Sequence, residues 1–330
     1  MATIRDVAKD AEVSITTVSR ILTNDPTLHI SDETRTKVIN SIQKLKYNYK
    51  PKKQQISIGV IMSLTYNYND PYFFEILNGI QEYCSNHDAI ISLIISYQQF
   101  KETKHTLEDK IRELDGLIVT DIPDGDLDYL TSLNNCLVFI DNYTAGYCNV
   151  GYNEYYANEL IMNHLLECGY KTIAYIGGPS GHEDFLANKR LVVYRESLRR
   201  ANIEFQEDLI YNCMWNSDIC KQQVEELIKK NPNIDAIFAG SDLLAIAVLK
   251  KLNELDIKCP DDIGVIGFND NDIASTITPT LTTVNLPSKD MGKYGAKRLI
   301  SQINKKKNSD LEINLPVKLI IRNSTKKVSN

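Results

Sequence analysis

At 330 residues the chain exceeds one typical domain, so two or three are expected. Its 43% apolar and 24% charged residues are ordinary for a soluble globular protein. No run approaches the roughly 18 apolar residues that span a bilayer, and the polar start Met1-Ala2-Thr3-Ile4-Arg5-Asp6 is unlike an export signal, so a cytoplasmic, membrane-free protein is expected. Seven cysteines are scattered without a CxxC pair, which signals neither a metal site nor a disulfide framework. Residues 1–55 hold ten Lys/Arg against six Asp/Glu, a balance of +4; the chain totals −6, so the remainder carries −10. A basic head on an acidic body suits a polyanion at one end only.

Residues 3–47 read as three short helices. Thr3 caps the first, with Asp6 as its capping-box partner and Ile4, Val7, Ala8 and Ala11 as its apolar stripe. Ser14 caps a second helix, Ile15 to Leu22, whose Val18, Ile21 and Leu22 face inward. Ser31 starts a third, with Asp32 and Glu33 near its positive end and Val38, Ile42 and Leu45 at helical spacing. Residues 48–55, interrupted by Pro51, read as a short basic linker.

From residue 56 short apolar runs alternate with amphipathic helices. Strands are expected at Ile56–Met62, Ala89–Ile95, Gly116–Val119, Cys136–Ile140, Thr172–Ile176, Leu209–Tyr211, Ala236–Ala239 and Ile263–Gly267. Helices are expected at Phe73–Cys84, Thr103–Leu114, Leu127–Leu133, Tyr155–Cys168, Ala187–Arg200, Ile219–Lys229 and Leu243–Leu255. Strands apolar throughout, separated by helices, indicate parallel sheets covered on both faces. So many units predict two α/β lobes, with ligands at the carboxyl ends of their strands.

In a helix-turn-helix the second helix enters the major groove. With Val18, Ile21 and Leu22 in the core, the outer face carries Ile15, Thr16, Ser19 and Arg20. Arg20 can donate bidentately to guanine, Thr16 and Ser19 can hydrogen-bond bases, and Ile15 can meet a thymine methyl. Ser14, Thr17, Ser31 and Thr34 can hold phosphates. A helical bundle that merely exposes hydroxyls would show any one of these residues.

The full string Thr3-Ile4-Arg5-Asp6-Val7-Ala8, then Val13-Ser14-Ile15-Thr16-Thr17-Val18-Ser19-Arg20-Ile21-Leu22-Thr23-Asn24, closely resembles the DNA-binding head of the lactose/galactose repressor (LacI/GalR) family. Ile30-Ser31-Asp32-Glu33-Thr34-Arg35-Thr36-Lys37-Val38 and Leu45-Lys46-Tyr47 fit the same pattern in order and spacing. The resemblance adds Thr3, Asn24 and His29 to the DNA face. It implies an all-α helix-turn-helix head at 1–47 and an α/β body, 56–330, like the periplasmic sugar-binding proteins. That body would have two doubly wound parallel-sheet lobes, about 56–153 with 285–315 and about 154–284 with 316–325.

In the body, Asn69-Asp70-Pro71-Tyr72-Phe73 resembles the family's effector loop, and Phe139-Ile140-Asp141-Asn142 its strand-end aspartate. Arg190 stands four before Tyr194 as in the family's helix start, with Val193 where a glycine is usual. Gly240-Ser241-Asp242 and Gly267-Phe268-Asn269-Asp270 resemble two further strand ends. The implied effector residues are Asp70, Tyr72, Phe73, Asp141, Arg190, Trp215, Ser241 and Asn269. Carboxylate, amide and guanidinium groups pair with sugar hydroxyls, and Tyr72, Phe73 and Trp215 suit the apolar face of a pyranose. Trp215 is the only tryptophan and sits in a polar segment that reads as a loop; a plain helix cap explains Ser241 equally well.

These features imply a repressor, a homodimer or tetramer on pseudo-palindromic operator DNA, relieved by a small sugar. Asp25 to Leu28 and the Asp-Pro-Tyr loop look most like repressors of galactose or β-galactoside operons; a purine-like effector and a phosphoprotein partner are the alternatives. Only 48–55 separates Tyr47 from the first body strand, and the family's Ala-Arg-x-Leu hinge is absent. Leucine insertion into the minor groove is therefore not expected, and Lys50, Lys52 and Lys53 are expected at phosphates or in the minor groove. No GxSxG, HExxH or Gly-Lys-Ser/Thr loop is present, and neither an enzyme, a cofactor nor a metal site is expected.

Overall fold

The computed structural model describes residues 2–23, 25, 27–47, 55–62, 71–120, 122–179 and 184–327. Chain contacts divide it into two units, 1–55 and 56–330.

The first unit is three helices, α1 (Ile4–Asp10), α2 (Ile15–Leu22) and α3 (Asp32–Lys44). Each begins at a hydroxyl cap. Thr3 and Asp6 form a reciprocal capping box, Ser14 Oγ accepts the Thr17 amide, and Ser31 Oγ accepts the Thr34 amide. Val7, Ala8, Ala11, Val18, Ile21 and Val38 make the core, with Leu22, Ile42 and Leu45 half-buried around it. Lys44 on α3 pairs with Asp10 of α1 at 2.6 Å, tying the last helix to the first.

In the second unit β1 (Ile56–Met62), β2 (Ala89–Ser96), β3 (Gly116–Val119), β4 (Leu137–Ile140), β5 (Cys148–Tyr152) and β11 (Glu312–Leu315) form one sheet in the order β11-β5-β4-β3-β1-β2. All its pairings are parallel. A second parallel sheet orders β7 (Ile210–Asn212), β6 (Ile173–Gly177), β8 (Ala236–Ala239) and β9 (Gly264–Ile266). Strands β3, β4, β6, β8 and β9 are buried throughout, as sheets covered on both faces require. The first sheet is covered by α4 (Pro71–Ser85), α5 (Tyr97–Arg112), α6 (Asp124–Leu133) and α11 (Ser288–Lys305). The second is covered by α7 (Glu154–Glu167), α8 (Lys189–Arg200), α9 (Ser217–Lys230) and α10 (Asp242–Glu254).

The chain crosses between lobes after β5, after β10 (Thr283–Asn285), and between β11 and β12 (Lys318–Ile320). Strands β10 and β12 pair antiparallel as a ribbon joining the lobes. Asp270 fastens this region: its carboxylate takes Arg322 at 2.7 Å and the Asn285 amide at 3.0 Å. In the first lobe α4 and α11 touch backbone to backbone. A Cβ on Gly79 would lie 1.9 Å from the Lys289 carbonyl, and one on Gly292 would lie 2.0 Å from that of Ile76.

Four strands (β5, β10, β11, β12) and helix α11 go beyond the elements read from the sequence. Residue boundaries elsewhere move by a few positions, most at α5, which starts at Tyr97 because Ser96 and Gln99 form a capping box there. No described helix is long and apolar enough to cross a membrane.

Candidate functional site

The head presents α2 with its apolar stripe turned in and four residues turned out. Ile15 is 46% exposed, an apolar side chain kept at the surface, and Thr16 is exposed beside it. Ser19 and Arg20 are half-exposed. The hydroxyls of Ser14 and Thr17 meet at 2.8 Å and those of Ser31 and Thr34 at 2.9 Å, each pair at the start of a helix, where amides and dipole favour an anion. Thr3 and His29 are exposed. Arg20 is not free: its Nε meets Asp25 at 2.6 Å and its terminal nitrogen meets the Thr27 hydroxyl at 2.7 Å. That guanidinium holds the Asp25 carboxyl down at about 2. Asn24, Lys52 and Lys53 lie outside the described residues.

In the body, the carboxyl ends of both sheets carry the remaining predicted groups, except Asp70, which lies outside the described residues. Asp141 follows β4 with φ of 59°, a left-handed turn that aspartate tolerates. The residue as a whole is exposed, yet burial of its carboxyl among its neighbours pushes it up to about 7; the charge of Glu154 adds to the rise, while the Tyr72 hydroxyl and Arg190 oppose it. Tyr72, at the start of α4, is buried, with its phenol well above the usual range because of burial and the Asp141 charge.

From the second lobe Arg190, at the start of α8, reaches into the same cluster. Its guanidinium meets Glu154 at 3.2 Å and lies 4.5 Å above the Phe268 ring and 5.7 Å from that of Trp215. Burial opposes its charge, but Tyr152, Glu154, Tyr175 and Asp141 outweigh that and raise its pKa. Trp215 adopts φ of 57°, an outlier for a bulky side chain. It is held by its Nε1 donating to the Pro179 carbonyl at 2.8 Å and by a seat against Gly178 and Gly240, where a Cβ would come within 2.5 Å and 3.0 Å of the indole. Two glycines at the ends of β6 and β8 thus fix the indole beside the guanidinium.

Asn269 follows β9 with φ of 114°, its amide bonded to the Val284 carbonyl at 3.0 Å and its carbonyl accepting the Leu286 amide at 3.3 Å. The backbone is therefore fixed on the crossover ribbon. Ser241 is buried and its Oγ accepts the Leu244 amide, so its hydroxyl caps α10. Phe73 departs from the cluster: it lines a hollow of about 270 Å³ with Met62, Phe74, Leu77, Ile94 and Gln99. Successive helix residues point about 100° apart, and although the Tyr72 and Phe73 rings touch edge to face at 5.2 Å, only Tyr72 is turned to Asp141.

Several cleft residues escaped the sequence reading, Glu154, Tyr152 and Phe268 among them. Glu154 looks like an ordinary first-turn acid of α7, Tyr152 ends a strand that was not expected, and Phe268 stands in a strand-end motif without being singled out as an effector residue. Only spatial pairing with Arg190, far along the chain, marks them.

Comparison with known proteins agrees with this geometry. The family described as "Bacterial regulatory proteins, lacI family" matches residues 3–51, and the "Periplasmic binding protein-like domain" matches 162–325. The "Ribose operon repressor" of Halalkalibacterium halodurans is 30% identical, over 99% of this chain and 98% of its own. Two solved structures share the fold at 24% identity. A lac repressor dimer bound to operator and an anti-inducer has a TM-score of 0.74 over 99% of both chains. A "transcriptional regulator CelR-cellobiose complex" has 0.73 over 98% of this chain and 100% of its own.

Proposed function

The chain belongs to the lacI family of bacterial regulatory proteins, and on that premise we propose that it represses a sugar-utilisation operon and releases it when a small sugar enters the interlobe cleft. It is a DNA-binding transcriptional regulator with a small-molecule effector, and not an enzyme. The observation that carries the sugar reading is the meeting of Tyr72 and Asp141 from one lobe with Arg190, Trp215 and Phe268 from the other. Carboxylate and guanidinium flank two aromatic faces, as a ring with polar edges and apolar faces demands.

On the DNA side, Ile15, Thr16, Ser19 and Arg20 read base edges, and the hydroxyl-capped helix starts at Thr3, Ser14 and Ser31, with Thr17, Asn24, His29, Thr34, Lys52 and Lys53, hold the backbone. A homodimer inside the cell sets two α2 helices about one turn apart on a pseudo-palindromic operator. Galactose or a β-galactoside is the first effector to test, from the Asp25 to Leu28 segment; a ribose operon repressor among the relatives makes ribose the second.

The test is binding of the purified chain to promoter fragments flanking its own gene, across salt concentrations and with each sugar. A steep fall of affinity with salt, preference over random duplex, and release by one sugar are expected. No preference over random duplex would overturn the regulator; no response to any sugar would overturn the effector class.

A further inference from the structure

We propose that the cleft selects an uncharged effector over an anionic one, and that Glu154 sets this choice by occupying the guanidinium an anion would need. The proposal rests on the effector reading above and names the charge class of ligand for that site.

Seven ionisable groups face one another here: Tyr72 from α4, Asp141 after β4, Tyr152 at the end of β5, Glu154 on α7, Tyr175 on β6, and Lys189 with Arg190 on α8. Formally they hold two acids against two cations. Both cations pair with Glu154. Glu154 Oε1 meets Arg190 at 3.2 Å and Oε2 meets Lys189 at 3.5 Å. Arg190 also bonds Tyr152, and the rings of Phe268 and Trp215 lie against it. Asp141 stands on the other lobe with no comparable cation of its own among the described residues, and the field of the two carboxylates reaches their neighbours. Tyr152 is raised by burial and by Asp141 and Glu154; Asp141 is itself raised by burial and then by Glu154.

A phosphate or carboxylate entering this space gives up water beside two carboxylates and meets cations already paired. A hydroxyl does better, because it donates to Asp141 and accepts from the guanidinium without changing the charge. Replacing Glu154 by glutamine keeps the shape, removes one negative charge and takes away the carboxylate that Arg190 and Lys189 share.

Two measurements on the full chain test this. The first compares galactose and ribose with galactose 6-phosphate, ribose 5-phosphate and galacturonate by calorimetry. The wild type is expected to bind a neutral sugar at least about tenfold tighter than its phosphate ester or acid, and Glu154→Gln to narrow that gap to a few-fold. An anionic sugar bound as tightly as its neutral parent by the wild type overturns the inference, whatever the variant does.

The second needs no effector: inorganic phosphate is titrated at constant ionic strength while the fluorescence of Trp215, the only tryptophan, is followed. A flat wild type and a saturable response in Glu154→Gln, lost again in Glu154→Asp, are expected. A saturable wild-type response, or a variant as flat as the wild type, overturns the role of Glu154. If no sugar binds but the phosphate contrast holds, the sugar reading fails and the charge selection stands.

Discussion

In the effector role proposed for Asp141, its raised carboxyl makes effector affinity a function of pH. Free in solution an aspartate titrates near 3.8; here burial, then the charge of Glu154, bring it to about 7. A sugar hydroxyl that donates to the carboxylate binds the ionised form and brings this raised pKa down, so affinity rises with pH. With a midpoint at 7 about a tenth of the sites are ionised at pH 6 and about nine tenths at pH 8, which gives a change of about tenfold in Kd. Because part of the Asp141 surface reaches solvent, tenfold between pH 6 and pH 8 is an upper bound. The linkage on stability has the opposite direction: a raised acid favours the folded state at low pH, and that contribution is lost as pH climbs from about 4 through 7. Asp242 also lies at about 7, through burial, but its carboxylate is engaged by the Thr283 hydroxyl at 2.6 Å and the Asn271 amide at 2.7 Å. It therefore contributes to stability and not to the effector slope. Titration with the cognate sugar from pH 5.5 to 8.5, read by Trp215 fluorescence, should show the slope in wild type and its loss in Asp141→Asn. Equal slopes in the two proteins would refute the role given to Asp141.

Gly292→Ala places a methyl 2.0 Å from the Ile76 carbonyl oxygen, so α4 and α11 must part by more than 1 Å, costing about 1–3 kcal/mol against a helix-propensity gain of up to about 1 kcal/mol; urea unfolding should show net destabilisation, and a neutral result would mean the helices are not in backbone contact. Arg20→Ala should cost ~1–3 kcal/mol at the cognate operator and relax preference at one base pair, measured against a panel of operator variants; a uniform loss across the panel would make Arg20 a backbone contact. Asp25→Asn removes the charge that pairs with the Arg20 guanidinium and should change base preference with little effect on the melting of the head, since the pair is exposed and screened by solvent. Ser14→Ala removes the cap of α2 and should lower head stability by about 1 kcal/mol, read as a drop in its thermal midpoint.

The head was legible because its signals are local. A hydroxyl, then an apolar residue every third or fourth place, fixes Ile15–Leu22 within eight residues. The buried strands were legible because Ile58 to Met62 or Ala236 to Ala239 are apolar on both faces. Strand β5 was not, since it carries Asn149, a buried amide whose partners are the Thr144 backbone and the Tyr147 carbonyl, so the apolar pattern breaks where the fold needs a polar clasp. Strands β11 and β12 are short and partly exposed, and carry no strong period. In α11 the buried stripe includes Gly292, where the α4 backbone approaches, and Gly295, which sits against the Ile140 side chain of β4; both lower the helix propensity that would have marked the element. The site divides in the same way. Asp141, Arg190 and Trp215 were found at strand ends, a helix start and a loop, whereas Glu154 and Phe268 acquire their meaning from Arg190 alone.

The division of the cleft between lobes also limits how strongly an effector can act. Coupling arises only from contacts available at one lobe spacing and lost at another. Asp141 and Tyr72 are carried by elements of the first sheet's lobe, Arg190, Trp215 and Phe268 by those of the second, and the ribbon at Asn269 lies between, held by Asp270, Arg322 and Asn285. A sugar spanning both gains a neutral hydrogen bond of about 0.5–1.5 kcal/mol on each side, and about 1.5–3 kcal/mol where the partner is charged. One or two bridging bonds that break when the spacing changes amount to about 1.5–4 kcal/mol, a shift of roughly ten- to a thousandfold between the two arrangements. Loosening the ribbon through Arg322→Ala should reduce that ratio and leave the affinity for the sugar nearly intact, because Arg322 touches the crossover and none of the cleft groups named above.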